Sequence, residues 1–318
     1  MDISIIIVAF DAKDLLRDCL LALKRSQDSL HKEILYVDNG SRDATIPFLQ
    51  KEFPSVRIFR SESNLGFTAA NNLAYAYAQG NYILLLNVDA FVGPHTLQRV
   101  FTFLEEHPQC GIVGARLRGL DGSLQPSART FPTPWRMLAG YLGLTRKFPF
   151  VGSLRGIDCL DGEHEFVRET DWVPGCFLML RRSIAESFGY LLRKDLPMYF
   201  DDIDICLRFR RKGWKVCFFP DDVVHLGGAN SKRVQGVVIV NAMIEHLRIE
   251  SMYRYYRINY SIAHVLCAWG FSLVFDLVCL IRHLVRWQGA SIPAVVLHVL
   301  LLTKVFIITR AGARALRT

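Results

Sequence analysis

The chain has little of what marks several large function classes. None of its eight cysteines stands in a C-x-x-C pair. Their positions, 19, 110, 159, 176, 206, 217, 267 and 279, show no zinc-like spacing either. A structural zinc site and a dithiol redox motif are thereby excluded, and the cysteines read as buried thiols of a reducing compartment. No stretch interleaves Lys and Arg with aromatics for base stacking, so the net charge of +8 does not indicate nucleic acid. Anionic lipid or a diphosphate suits that charge better. The N-terminus lacks a basic segment before its apolar run. Asp2 leads straight into Ile3 to Val8, too short for a signal sequence, and the globular part is expected to stay cytoplasmic. A nucleotidyltransferase usually opens with a Gly-rich basic loop, and Ala9-Phe10-Asp11-Ala12-Lys13 offers none. Internal repeats and low-complexity segments are also missing.

What is present is a folded chain: of 318 residues, 51% are hydrophobic, 12% aromatic and 21% charged. That length fits one α/β domain with a tail, or two domains. Ile3 to Phe10 is a continuous apolar run, as a strand buried on both faces requires. Leu15, Leu16, Cys19, Leu20 and Leu23 then follow at helical spacing over Lys13 to Arg25. A strand over Ile34 to Val37 ends at Asp38, with a turn-rich N-G-S-R-D stretch and a helix from Ala44 to Phe53 behind it. Val56 to Arg60 makes a third strand, Ala69 to Gln79 a helix, and Tyr82 to Leu86 a fourth strand ending at Asn87 and Asp89. The alternation predicts a Rossmann-like, mostly parallel sheet flanked by helices. Ligands of such sheets bind beyond the carboxyl ends of the strands, where Asp11, Asp38, Asn64 and Asp89 all fall.

From Gly111 to Arg182 the pattern loosens, and loops with short strands are expected to cover a cleft. Trp172 to Leu180 reads as a strand, Ile203 to Lys212 as a helix and Lys215 to Phe219 as a strand. Val223 to Gly228 reads as a loop carrying His225.

Several residues in this frame suit nucleotide-dependent group transfer. Asp38 can accept hydrogen bonds from a pyrimidine imide or a ribose hydroxyl, and equally can cap the turn D-N-G-S. Asn87-Val88-Asp89 delivers a carboxylate to the sheet edge. A hard divalent ion, Mg2+ or Mn2+, takes one or two such ligands together with phosphate oxygens. His225 is a candidate third ligand, although an isolated His is more often structural. Asp201, Asp202 and Asp204 begin a helix, which suits its dipole. Three carboxylates within four residues also repel one another, which raises a pKa and favours Asp202 as a proton acceptor. Gly175, in W-V-P-G-C-F, stands where backbone can approach a ligand or simply turn.

Seven segments occur in order: I-I-I-V-A-F-D, V-D-N-G-S-R-D, N-L-G-F-T-A-A-N-N, L-L-N-V-D, W-V-P-G-C-F, F-D-D-I-D-I-C-L-R and H-L-G-G. With them the chain resembles the family 2 glycosyltransferases of the GT-A fold, in particular the rhamnosyltransferase-like members, over residues 3 to 260. The resemblance implies that Ala9, Asp11 and Asp38 hold the nucleoside, while Asn64, Asn71 and Asn87 line the donor side. It implies that Asp89 and His225 bind the metal and diphosphate. Asp202 would deprotonate the acceptor hydroxyl for a single inverting displacement. Trp172, Gly175 and Asp201 would border the acceptor, and Arg208 would steady the phosphate or the acidic cluster. Two departures stand out: relatives often carry Asp-x-Asp where this chain has Asn87-Val88-Asp89, and a Tyr and Asn where it has A-F-D. A scaffold that has lost catalysis through Asn87 is the nonenzymatic alternative.

The expected division is a transferase domain over 1–245 and membrane-associating helices over 246–318. Ser261 to Ile281 is long enough to span a bilayer and Ile292 to Ile308 is shorter. On a helical wheel, His264, Ser272, Asp276, Arg282, His283 and Arg286 share one stripe, which favours helices lying in the plane of the membrane surface. A hairpin would place Arg282 and Arg286 on the far side, while Arg248, Arg254, Arg257, Arg310, Arg314 and Arg317 stay cytoplasmic. Y-R-Y-Y-R, at 253 to 257, fits an interfacial anchor or packing against the catalytic domain. The partners expected are a nucleoside diphosphate sugar, a lipid-linked saccharide acceptor and the cytoplasmic face of the plasma membrane, with oligomers permitted.

Overall fold

The computed structural model describes residues 1–148, 151–154, 156–158, 161–196, 198–227, 237–285 and 292–314. Cys159, Gly228, Arg286 and Arg317, singled out above, lie outside them. Contacts divide the chain into two compact units. The first comprises Met1–Thr130, Asp158–Pro197 and Asp201–Val237, and the second Phe131–Ile157, Met198–Phe200 and Val238–Thr318.

The first unit is a ten-stranded mixed sheet with helices against it. Its strands are β1 (Ile3–Ala9), β2 (Lys32–Asp38), β3 (Arg57–Arg60), β4 (Tyr82–Leu86), β5 (Ala90–Val92), β6 (Cys110–Arg118), β7 (Leu124–Gln125), β8 (Arg168–Thr170), β9 (Phe177–Arg181) and β10 (Lys215–His225). They run in the order β3-β2-β1-β4-β9-β6-β10-β5, with β7 beside β6 and β8 beside β10. Its helices are α1 (Lys13–Lys24), α2 (Thr45–Glu52), α3 (Phe67–Tyr75), α4 (Thr96–Glu106), α7 (Arg182–Glu186) and α8 (Asp201–Arg211), with α5 and α6 belonging to the second unit. β1 to β4 pair in parallel, as the alternation predicts, whereas β9 inserts antiparallel between β4 and β6. The central strands are predominantly apolar and buried, with Ser4 of β1 satisfied by a hydrogen bond to Glu33 of β2. Leu15, Leu16, Cys19, Leu20 and Leu23 of α1 turn into the core as their spacing requires.

Two stretches differ from the sequence reading. The loosened region holds β6, nine residues long and almost wholly buried. Its Gly114 is a packing residue: a Cβ there would stand 2.4 Å from Val173 Cβ. The glycine thus lets the W-V-P-G turn settle on the sheet. β10 continues past Pro220 through a register shift between Phe219 and Asp222, so His225 ends a strand instead of sitting in a loop.

The second unit contains α5 (Pro134–Tyr141), α6 (Leu144–Lys147), α9 (Val237–Asn259), α10 (Ile262–Val285) and α11 (Ile292–Ile308). α10 is long and apolar enough to cross a bilayer. Two residues of its polar stripe turn inward, whereas Arg282 of the same stripe is exposed. Ser272 and Asp276 are buried, and both Asp276 oxygens lie 2.9 Å from His298 Nδ1 on α11. His298 Nε2 is 3.3 Å from Glu245 Oε1, and Glu245 also pairs with Arg248. Tyr253, Tyr255 and Tyr256 of the Y-R-Y-Y-R segment are fully buried within this unit rather than displayed as an anchor. Most of the exposed side chains of these helices are apolar, Leu266, Val274, Leu277 and Leu284 on α10 and Leu297 and Leu300 on α11, with Arg282 and Lys304 exposed beside them.

Candidate active site

The strand directions bring the candidate residues to one edge of the sheet. Ala9 and Asp38 end the parallel strands β1 and β2 in register with each other. β4 ends at Leu86, which pairs with Phe177, the first residue of antiparallel β9. The turn before β9 therefore lies beside the end of β4, and the Asn87 N–H donates to the Cys176 carbonyl at 3.0 Å. Ala90 of β5 pairs with His225 at the end of β10.

At the β1–β2 end, Asp38 is fully buried. Its Oδ1 accepts from the Ser41 N–H at 3.3 Å, while Oδ2 has no hydrogen-bond partner among the described residues. The nearest cation is Arg60, mostly exposed, with its Nε 4.0 Å away. An unsatisfied buried acceptor costs about 1–3 kcal/mol. Asp11 adopts a left-handed conformation (φ 46°) and ties the neighbouring loop down. Its N–H donates to Ser41 Oγ at 3.0 Å and its Oδ1 accepts from the Arg42 N–H at 2.7 Å.

Asn39, which the sequence reading did not single out, joins two loops. Its Nδ2 donates to Asn64 Oδ1 at 2.9 Å and its Oδ1 accepts from the Leu65 N–H at 2.7 Å. Asp11, Asp38 and Asn64 thus share a network of loops at the edge. Asn71 does not join it: its side chain is buried on α3 and donates to the Phe67 carbonyl.

Asp89 and His225 are neighbours, with 3.6 Å between Asp89 Oδ1 and His225 Nε2. The Leu226 N–H donates to the Asp89 carbonyl, which holds the two segments together. Gln125 braces the imidazole from behind, with 2.8 Å between its Oε1 and His225 Nδ1. One carboxylate and one imidazole suit a divalent cation that completes its shell with phosphate oxygens and water. Among the described residues no group of three or more His, Cys, Asp or Glu side chains could hold a metal ion. Asn87, half-buried, uses its backbone to join β4 to β9.

Asp202 opens α8. Its Oδ2 accepts from the Gly175 N–H at 3.1 Å and its Oδ1 from the Ile203 N–H at 2.9 Å. Burial raises its pKa above the usual carboxylate value, and the two amides and the Arg129 charge only partly oppose that shift. The cause is burial, not repulsion within the acidic cluster. Asp204, fully buried, pairs with Arg193 at 3.3 Å and Arg208 at 2.8 Å. Arg208 is accordingly an interior ion-pair residue. It also donates to the Leu191 carbonyl and lies over Phe188 and Tyr190. Asp201 is buried beside Asp202 in the chain. Trp172 donates its Nε1–H to the Thr130 carbonyl and carries the Arg129 guanidinium 4.6 Å above its ring. The cation near Asp202 is therefore Arg129, which no motif signalled.

Residues 4–187, more than half of the chain, match the model of glycosyl transferase family 2. The chain belongs to this family. The fold is GT-A, the class expected. The family member is 27% identical over 206 residues to the N-acetylglucosaminyl-diphospho-decaprenol L-rhamnosyltransferase of Mycobacterium tuberculosis, covering 60% of this chain and 66% of that one. The low-salt glycan biosynthesis hexosyltransferase Agl10 of Haloferax volcanii is 23% identical over 261 residues, 80% of this chain and 72% of that one. Among solved structures, the mannosyltransferase PcManGT of Pyrobaculum calidifontis, in complex with GDP-Man and Mn2+, superposes with a TM-score of 0.53 at 15% identity. It covers 98% of this chain and 75% of that one.

Proposed function

We propose that the protein is an inverting glycosyltransferase that takes a sugar from a nucleoside diphosphate donor and joins it to a lipid-linked saccharide at the cytoplasmic membrane face. The observation that carries this is the bond from the Asn87 N–H to the Cys176 carbonyl. It draws the Gly175–Cys176 turn, whose Gly175 amide donates to Asp202, to the strand end that leads to Asp89, which supports reading a proton acceptor and a diphosphate site side by side. Asp38 receives a donor group of the nucleoside at its unpaired oxygen. A divalent cation held by Asp89 and His225 would neutralise charge on the departing diphosphate.

Asp202 takes the proton of the acceptor hydroxyl. That oxygen forms the new bond to the anomeric carbon from the face opposite the diphosphate, and the old C–O electron pair leaves with the nucleotide. Rhamnose from dTDP-rhamnose is the proposed donor; the name of the M. tuberculosis relative supports the rhamnosyl group and a lipid diphosphate acceptor. The mostly apolar exposed side chains of α10 and α11 support membrane-surface association.

The test is turnover of a panel of nucleotide sugars by the full chain on vesicles, with Mn2+ or Mg2+ and lipid-linked acceptors. Metal-dependent release of nucleoside diphosphate, abolished in Asp202→Asn, is expected. No turnover of any donor, with retained cellular function in both Asp202→Asn and Asp89→Ala, would establish a scaffold instead.

A further inference from the structure

Gln125 makes both of its side-chain hydrogen bonds to one residue. Its Nε2 is 2.7 Å from the His225 carbonyl oxygen and its Oε1 is 2.8 Å from His225 Nδ1. A carbonyl only accepts, so the amide nitrogen must face it; the flipped amide would press two oxygens together at 2.7 Å. Oε1 therefore faces the ring, and since it too only accepts, Nδ1 carries the hydrogen. In the neutral imidazole this leaves the lone pair on Nε2, the nitrogen 3.6 Å from Asp89 Oδ1. The other tautomer would point an N–H at the Asp89 carboxylate, and the two residues would satisfy each other. The β6–β7 hairpin presents Gln125 for this purpose: Gln125 pairs with Leu117 on the strand adjoining β10.

We infer that Gln125 is a positioning residue that holds His225 as the Nδ1–H tautomer and keeps its Nε2 lone pair available to a divalent cation shared with Asp89. The inference rests on the reading of Asp89 and His225 as ligands. Partners on the far ring nitrogen of a ligating histidine typically change metal affinity 10- to 100-fold.

The test uses the full chain labelled with 15N-histidine, its His225 signals assigned by loss in His225→Ala. Long-range proton–nitrogen spectra should show the Nδ1–H tautomer at His225, shifting toward Nε2–H in Gln125→Met. Mn2+ alone, titrated by the electron paramagnetic resonance of the free ion, should bind about 10- to 100-fold more weakly to Gln125→Met. In the His225→Ala background the same substitution should change nothing further. A merely structural Gln125 would lower the melting temperature and weaken Mn2+ equally in both backgrounds. An Nε2–H tautomer in the unsubstituted chain, or unchanged Mn2+ binding in Gln125→Met, overturns the inference while leaving the ligands in place. Absence of Asp89-dependent Mn2+ binding by the unsubstituted chain overturns the ligand reading, and this inference with it.

Discussion

Gly175 donates its backbone N–H to Asp202 Oδ2 at 3.1 Å, joining the turn before β9 to the first turn of α8. The pairing has a chemical consequence. An amide donor fixes the carboxylate in place, and burial keeps it more basic than an ordinary aspartate. Asp202→Asn retains a carbonyl oxygen for the Gly175 amide but cannot take a proton. Transfer should fall about 10²- to 10⁴-fold, while nucleotide binding persists. The loss of stability should not exceed what one amide contact is worth, about 1–3 kcal/mol, because the substituted side-chain nitrogen faces the Ile203 N–H while a partly buried charge is removed. A fall in melting temperature that matches the loss of activity would make Asp202 a structural cap.

The same shift gives the direction of the pH profile. Asp202 must be ionised to act, and its pKa in the folded chain lies above the ordinary value of 3.8. Turnover should therefore decline as pH falls, with its acid inflection above that value, and the inflection should vanish from the residual rate of Asp202→Asn. An inflection at or below 3.8 in the unsubstituted chain would exclude Asp202 as the base.

The unpaired Oδ2 of Asp38 predicts a binding effect confined to the nucleotide. Asp38→Ala should weaken dTDP and UDP binding about tenfold or more in calorimetry, since a charge-assisted hydrogen bond is worth roughly 1.5–3 kcal/mol. Mn2+ titration without nucleotide should be unaffected. Equal affinity in the variant would mean that Asp38 serves its turn alone, through the Ser41 N–H.

How far the sequence reveals this site depends on the kind of interaction. Apolar runs disclosed β1 and β4, and with them the edge where Asp38 and Asp89 stand, because burial on both faces leaves a continuous pattern. β6 escaped notice since Gly111 and Gly114 interrupt its run for reasons of packing against Phe209 and Val173. His225 was read as a loop residue because Pro220 conceals the continuation of β10. Gln125, Asn39 and Arg129 carry no signal at all. Each acts on a partner made near only by the fold, 100 residues away for Gln125 and His225. The polar stripe of α10 was visible, but periodicity gives a stripe without saying which way it faces.

The outward apolar face of the helical unit predicts where it meets lipid. Leu277 on α10 and Leu300 on α11 are each more than half exposed. The paired substitution Leu277→Glu with Leu300→Glu should abolish sedimentation with anionic phospholipid vesicles and leave nucleotide binding intact. Unchanged sedimentation would assign that face to protein contacts.

The inward charges predict a pH-dependent stability of the same unit. Hydrogen bonds that His298 donates to Asp276 and Glu245, opposed by burial, raise its pKa from 6.5 to about 9. A raised histidine pKa stabilises the folded state fully below pH 6.5, and that contribution is lost as pH climbs through 9. Glu245, lowered from 4.5 to about 2, contributes above pH 4.5 and fails only as pH falls toward 2, outside this window. His298 is partly exposed, so the loss should be on the order of 1–3 kcal/mol. Hydrogen exchange of α10 and α11 should accelerate between pH 6.5 and 9 beyond the intrinsic rate. His298→Gln, which cannot titrate, should exchange faster at pH 6.5 and show no added dependence across the window. Equal pH dependence in the two chains would show that the Asp276–His298–Glu245 cluster does not hold the helices together through charge.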